Sequence, residues 1–155
     1  MEIRKAKFAE ISGLIEIWEA AVRATHDFLT EDDILSIRLQ VEELLPAARD
    51  LWVSCLEGRP MGFMGLTRSG TGQAREVEID MLFIHPDCHR RGVGTAMIDF
   101  AREQAPRLTL KVNEQNPQAL AFYEHRGFVT VGRSLADSQG RQFPLLHMRL
   151  NQPET

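Results

Sequence analysis

Cysteine is nearly absent from this 155-residue chain: only Cys55 and Cys88 occur. Two thiols do not make a disulfide framework, and a chain of this length can bury roughly two thirds of its unfolded surface without one. Both are read as reduced. No apolar run approaches the ~18 residues of a membrane span, and the opening MEIRKAKFAE lacks the apolar segment of a signal peptide. These absences point to the cytoplasm and away from a membrane. Positive charge is not in excess either: the formal net charge is −4, whereas a nucleic-acid binder usually carries a basic face. Repeats, low-complexity segments and breaks in composition are missing as well. Residues 1–150 therefore read as one domain and 151–155 as a frayed tail.

What is present alternates between two periods. After a strand-like start (EIRKA), Ile11, Leu14, Ile15, Trp18 and Val22 recur at helical spacing, and Ile34, Ile37, Val41, Leu44 and Leu45 form a second such stripe. Glu31, Asp32 and Asp33 suit the start of that second helix, and Pro46 marks its approximate end. LWVSCLE (51–57) and MGFMGL (61–66) read as strands joined by a turn at GRP (58–60), with a further turn at SGTGQ (69–73). EVEIDMLFI (76–84) passes from alternation to a continuous apolar run, which suits a strand entering a buried setting. A helix starts near Gly94, turning Met97, Ile98, Phe100 and Ala101 inward, and Pro106 closes it. LTLKV (108–112) is a strand. Asn116 and Pro117 are a cap and first position for a last helix that Gly127 stops. FVTVGR and FPLLHMRL pair about a DSQG turn. The order is β, α, α, β, β, β, α, β, α, β, β, which is a mixed α/β (α+β) chain.

The stretch HPDCHRRGVGTAM (85–97) places two glycines where a strand gives way to a helix. A turn of that kind aims several backbone N–H groups, and the positive end of the helix dipole, at one point, which suits a phosphate. Arg90 and Arg91 add charge. The competing reading is a helix start that simply needed glycine. A nucleotide P-loop fits poorly because no lysine follows Gly94, and a dinucleotide fingerprint because position 97 is methionine; an unrelated nucleotide-binding protein that takes ATP or NAD at this turn is a third reading.

HRRGVGTAM together with NPQALAFYEHRGF (116–128) resembles the GNAT family of acyl-CoA-dependent N-acetyltransferases. His89 to Gly94 match the family's Gln/Arg-x-x-Gly-x-Gly/Ala loop except at the first position. Asn116, Ala119, Tyr123, Gly127 and Phe128 meet every fixed position of its second motif. ATHDFL, VNEQN and the GRS…D…G…PLL ending further resemble the YjaB-like bacterial branch. The resemblance implies the GNAT fold: a central, mostly antiparallel sheet flanked by helices, with a V-shaped splay between the fourth and fifth strands (76–84 and 108–112). It implies acetyl-CoA as cosubstrate. Leu82, Phe83 and Ile84 would pair with the pantetheine arm as an added strand. His89, Arg90, Arg91, Gly92, Val93, Gly94 and Thr95 would hold the pyrophosphate, and Asn113, Asn116 and Tyr123 would reach the cofactor farther along.

Acetyl transfer needs a neutral amine, donors for the thioester oxygen and an acid for the departing thiolate. Tyr123, the chain's one tyrosine, matches the family residue that protonates the thiolate; its other reading is packing beside Phe122. Glu76, Glu78 and Asp80 alternate onto one strand face. Glu78 lies 14 residues before Gly92, which is where the resemblance puts a catalytic glutamate; a solvated strand face is the alternative. Asp80 would attract a cationic substrate. Asn116 reads first as a helix cap, Asn113 is open to cap or cofactor, and Lys111 to the substrate side or an ordinary exposed strand position. His26, in ATHDFL, borders the acceptor groove of such a fold and could orient or deprotonate the amine, or be structural. His85, Cys88 and His89 lack a fourth ligand for zinc, so no metal is expected.

The expected function is acetyl transfer from acetyl-CoA to a primary amine, either a protein lysine or a small molecule, by direct attack in a ternary complex. The alternative on the same fold is a non-catalytic acyl-CoA-binding sensor or interaction module. Monomer and homodimer are both open.

Overall fold

The computed structural model describes residues 1–137 and 139–151. Its elements are β1 (Glu2–Lys5), α1 (Ile11–Thr25), α2 (Glu31–Ala47), β2 (Leu51–Leu56), β3 (Arg59–Ser69), β4 (Glu76–Ile84), α3 (Val93–Arg102), β5 (Arg107–Asn113), α4 (Pro117–His125), β6 (Val129–Ser134) and β7 (Leu145–Asn151). This is the order that the sequence periodicity predicts. The strands follow the order β1-β2-β3-β4-β5-β7-β6. β1–β2, β2–β3, β5–β7 and β6–β7 pair antiparallel, and β4–β5 pair parallel. The expected mixed, mostly antiparallel sheet is therefore present. β4 is in register with β5 only from Glu76 to Ile79, although the strand itself runs on to Ile84. A splay between these two strands requires such an early end to the ladder.

The chain forms two compact units. One comprises Met1–Leu66 with Met81–Asp99, the other Thr67–Asp80 with the residues from Phe100 onward. In the first, α1 buries the predicted Leu14, Ile15, Trp18 and Val22, together with Ile17 and Ala21, and α2 buries the predicted Ile34, Val41 and Leu45; Ile11 and Ile37 are half-buried. Leu44 departs from that expectation. It is exposed because it falls one position off the 34–41–45 face. α2 ends at Ala47, one residue past Pro46, close to where the proline predicts. At the other end Thr30 accepts the Asp33 N–H at 3.1 Å while the Asp33 carboxylate accepts the Thr30 N–H at 3.0 Å, which satisfies two donors that precede the helical ladder. The β2–β3 turn is a second correction. It is Glu57–Gly58, with both φ angles positive (52° and 79°), and not Gly58–Pro60. Paired left-handed residues match the twist of a tight hairpin. Pro60, which has no N–H for a ladder, is taken into β3 at a register shift opposite Cys55.

In the second unit, β5 turns Leu108, Leu110 and Val112 to the buried side and Thr109, Lys111 and Asn113 to the other. β7 does the same with Met148 and Leu150 against His147 and Arg149. Phe128 joins the buried side, whereas Val129 and Val131 of β6 are exposed. β7 includes Asn151, one residue beyond the predicted tail boundary; the rest of that tail, and Ser138 of the predicted DSQG turn, lie outside the described residues.

The start of the chain is tied to α1 by a two-pronged ion pair, Arg4 to both Glu10 carboxylate oxygens at 3.0 and 2.8 Å. Chiefly through that pair, and with help from the Lys7 N–H, the Glu10 carboxyl is held down at about 2. A depressed carboxyl contributes stability above its unfolded-state value and loses it as pH falls through the folded one. Arg4→Gln should therefore lower stability above pH ~5, where the Glu10 carboxylate is ionised in both states. The two unfolding curves should converge near pH 2, as measured by urea denaturation across pH.

Candidate active site

In the first unit, β4 ends at Ile84 and a short 3-10 turn (Pro86–Cys88) leads to the glycine stretch. Two residues there adopt left-handed backbone, Arg90 (φ 67°) and Gly92 (φ 79°). Left-handed positions set among right-handed ones make a concave nest of N–H groups. The first bond of the α3 ladder is Ala96 N–H to Gly92 C=O at 3.0 Å, so the N–H groups of Val93, Gly94 and Thr95 come before it. His89, Arg90, Arg91 and Gly92 are exposed, Val93 is buried in the core, and Gly94 and Thr95 are half-buried. The Val93 side chain thus faces the core and offers a ligand only its backbone. A Cβ built on Gly92 would meet nothing within 4 Å. Gly92 is thus required by its φ angle, and the space above it is open. Leu82, Phe83 and Ile84 are half-buried. Phe83 packs on Phe63 with ring centroids 5.7 Å apart, so its side chain serves the core and only its backbone is left for a strand-like ligand.

His26 caps α1, donating its N–H to the Val22 carbonyl at 2.8 Å. Burial pushes its imidazole down, with Asp27 pulling the other way. The Thr25 hydroxyl donates to the Ala21 carbonyl at 2.8 Å and also lies 2.8 Å from His26 Nδ1. With its one proton committed, that hydroxyl can only accept from Nδ1, which leaves Nε2 as the imidazole's free acceptor. A cleft of about 520 Å³ in the same unit is lined by Glu10, Arg59, His85 and Asp87 among others; none of the predicted catalytic or cofactor residues lines it. His85 Nδ1 accepts the Asp87 N–H at 3.1 Å, which fixes that imidazole as the Nε2–H tautomer.

The second unit carries the tyrosine expected to be the acid and the carboxylates expected near the amine. Tyr123 lies on α4 between Phe122 and Phe128, edge-on to both at 5.4 and 5.7 Å. Burial pushes its phenol up to about 12, so the hydroxyl keeps its proton throughout the working range of an enzyme. Asn116 is buried and caps α4, its side-chain oxygen accepting the Ala119 N–H at 3.2 Å. Asn113 is half-buried at the end of β5 and accepts the Asn116 N–H through its carbonyl at 3.0 Å. Glu78 is half-buried and lies 3.6 Å from the Lys111 ammonium. Asp80 is exposed as a residue, yet its carboxyl is desolvated enough to be raised, against the hydrogen bond it accepts from the Thr67 hydroxyl.

Residues 13–128 match the family model described as the acetyltransferase (GNAT) family. The chain is 40% identical over 149 residues to the peptidyl-lysine N-acetyltransferase YjaB of Salmonella typhimurium, covering 96% of this chain and 97% of that one. The solution structure of apo YjaB from Escherichia coli superposes with a TM-score of 0.85 at 39% identity, covering 98% of each chain. A PaiA N-acetyltransferase from Thermoplasma acidophilum, solved with coenzyme A, shares the fold at a TM-score of 0.75 and 20% identity, over 97% of this chain and 98% of that one. The chain belongs to the GNAT family. It is an N-acetyltransferase.

Reading this GNAT chain as sequence misses three features of its polar groups. Arg90 is left-handed, and no residue-type signal marks an arginine for that conformation. Asp80 holds its proton more tightly than an ordinary carboxylate, so it shares the candidacy for base with Glu78. His147 lies 2.6 Å from the Ser134 hydroxyl and opposite Lys111 in register. Period-two alternation in 145–151 separates His147 from Met148. Its partner on β6, however, depends on a register shift between Thr130 and Gly132 that no pattern announces. Since only the backbone angle demands glycine at 92, Gly92→Ala should cost about 1–2 kcal/mol in thermal unfolding. A loss under half that would mean the turn relaxes to a right-handed form.

Proposed function

We propose that this acetyltransferase moves the acetyl group of acetyl-CoA to the ε-amine of protein lysines by direct attack in a ternary complex. The observation that carries the acyl-CoA half is the turn at Arg90–Gly92. Its left-handed residues and uncommitted α3 N–H groups stand where the family's pyrophosphate motif falls. The acceptor class is supported by the relative's name, peptidyl-lysine N-acetyltransferase, and by an identity that runs the length of both chains.

His89, Arg90 and Arg91 would flank the pyrophosphate, and Gly92 to Thr95 would bind it through backbone N–H groups. The backbone of Leu82–Ile84 would pair with the pantetheine arm, and Asn113 and Asn116 would lie along it. Glu78 would receive the incoming ammonium and take its proton, with His26 Nε2 as a further acceptor that orients the amine. Tyr123 would donate to the leaving sulfur. A phenol at about 12 holds its proton more tightly than an ordinary thiol near ~8.5. Its first contribution is therefore a hydrogen bond to developing thiolate charge. Transfer of the proton completes only as the sulfur becomes desolvated in the same apolar surroundings.

Calorimetry tests the reading directly: acetyl-CoA should bind saturably near one to one, and ATP and NAD should not bind. Tyr123→Phe should bind acetyl-CoA as the parent does and lose ~10²-fold in kcat on a lysine peptide. Because a phenol raised to about 12 stays in its acid form as pH rises, any alkaline loss of kcat below pH ~11 should persist unchanged in Tyr123→Phe. Loss of that limb in the variant would show that the phenol titrates lower. Failure to bind acetyl-CoA, in folded protein, would remove the proposal.

A further inference from the structure

Lysine is scarce in this chain: Lys5, Lys7 and Lys111 stand against fifteen arginines. A guanidinium keeps its proton and is no acyl acceptor, whereas an ammonium that loses one becomes a nucleophile. Nearly all the cations of this protein are therefore inert to the chemistry proposed above. Lys5 is engaged, with Nζ 3.1 Å from the Asp50 carboxylate, 3.3 Å from the Arg49 carbonyl and over the Trp52 ring. Lys7 is exposed at the start of the chain. Lys111 alone sits within the acyl-transfer elements. It projects from β5 on the unburied side of the sheet, and its Nζ is 3.6 Å from the carboxylate of Glu78.

That carboxylate is the group proposed to receive an acceptor's ammonium. A lysine ammonium belonging to the protein is already seated on it. We propose that Lys111 is an internal acceptor, a site of self-acetylation from bound acetyl-CoA. The inference rests on the acetyl-CoA reading above. Glu78 takes one proton from the Lys111 ammonium and the freed nitrogen attacks the thioester carbonyl carbon. The N–C bond forms, the C–S bond breaks, and the sulfur leaves with a proton from Tyr123. Nitrogen sheds its second proton as the amide forms; one proton is released to solvent overall, and the phenol regains its own. The products are acetyl-Lys111 and coenzyme A.

The modification would change the site that makes it. Acetyl-lysine is neutral, so the ion pair to Glu78 is lost and the carboxylate is left to an external ammonium. Thr109 and Arg149 share the sheet face with Lys111, as does His147, which is held to Ser134 at 2.6 Å. Glu78 is paired with Lys111 there, and the Asp80 carboxyl also feels the Lys111 charge.

The full chain incubated with acetyl-CoA, digested and mapped by mass spectrometry decides the matter, with Lys5 and Lys7 as internal controls for uncatalysed acylation. Lys111 should acquire up to one acetyl group per chain, at a rate independent of protein concentration. Labelling should fall at least ~10-fold in Glu78→Gln, and Lys111→Arg should leave no label in β5. Equal labelling of exposed Lys7 and Lys111, unmoved by Glu78→Gln, would overturn the proposal. So would an unlabelled Lys111 in protein that acetylates a lysine peptide, and that outcome leaves the proposed function standing. Absence of both acetyl-CoA binding and peptide turnover would overturn the proposed function and this inference with it.

Discussion

The short register between β4 and β5 is the constraint on which the rest depends. Parallel pairing covers four residues, Glu76 to Ile79 against Arg107 to Leu110, and then β4 goes on to Ile84 without continuing that register. Backbone N–H and C=O groups are obligatory hydrogen-bonding groups, so a strand that outruns its neighbour is open to an extended ligand that can act as the next strand. β5 stays held past the early end, because its other edge is engaged with β7 from Arg107↔Asn151 to Asn113↔Leu145. One strand pair is kept short while its flank is kept long. That is how a sheet can present main-chain groups and still be held together.

The second requirement is a turn that aims N–H groups outward at the end of β4. Gly92 supplies a left-handed residue at little cost, but Arg90 adopts the same region at φ 67°, where a side chain costs of order 1–2 kcal/mol. Strain of that kind persists where surrounding structure over-determines it. Here the determinants flank the turn: Cys88 is buried before it and Val93 after it. Both ends are anchored in the core, and the residues between them must close the gap with whatever backbone angles that demands.

This division explains what could be read from the sequence. The element order was legible because Leu14, Ile15, Trp18 and Val22, or Leu108, Leu110 and Val112, repeat at periods that only one kind of element satisfies. The glycine turn and the α4 start were legible from residue types with narrow backbone roles, Gly92 and the Asn116–Pro117 pair. Features set by register or by three-dimensional closure were not. The β2–β3 turn moved to Glu57–Gly58 because the hairpin favours two left-handed residues, and the Ser134–His147 pair depends on a shift within β6. The environment of Tyr123 was half legible: the motif named Tyr123 and Phe128 and the sequence set Phe122 beside them, but the edge-on enclosure of the phenol comes from packing.

That packing also argues for where catalytic power originates. An acid tuned to protonate a thiolate would have its affinity lowered toward that of the thiol, yet burial takes the phenol of Tyr123 up to about 12. In its proposed role, then, Tyr123 is not tuned for acid strength. A fixed hydroxyl in an apolar setting instead offers a preoriented dipole, worth more there than in water because it needs no reorganisation when charge develops. The carboxylate side is arranged likewise, with Glu78 beside a compensating ammonium and Asp80 partly desolvated. In the proposed reaction, rate would come from bringing amine and thioester together in one geometry, and proton transfers would follow the bond changes instead of driving them.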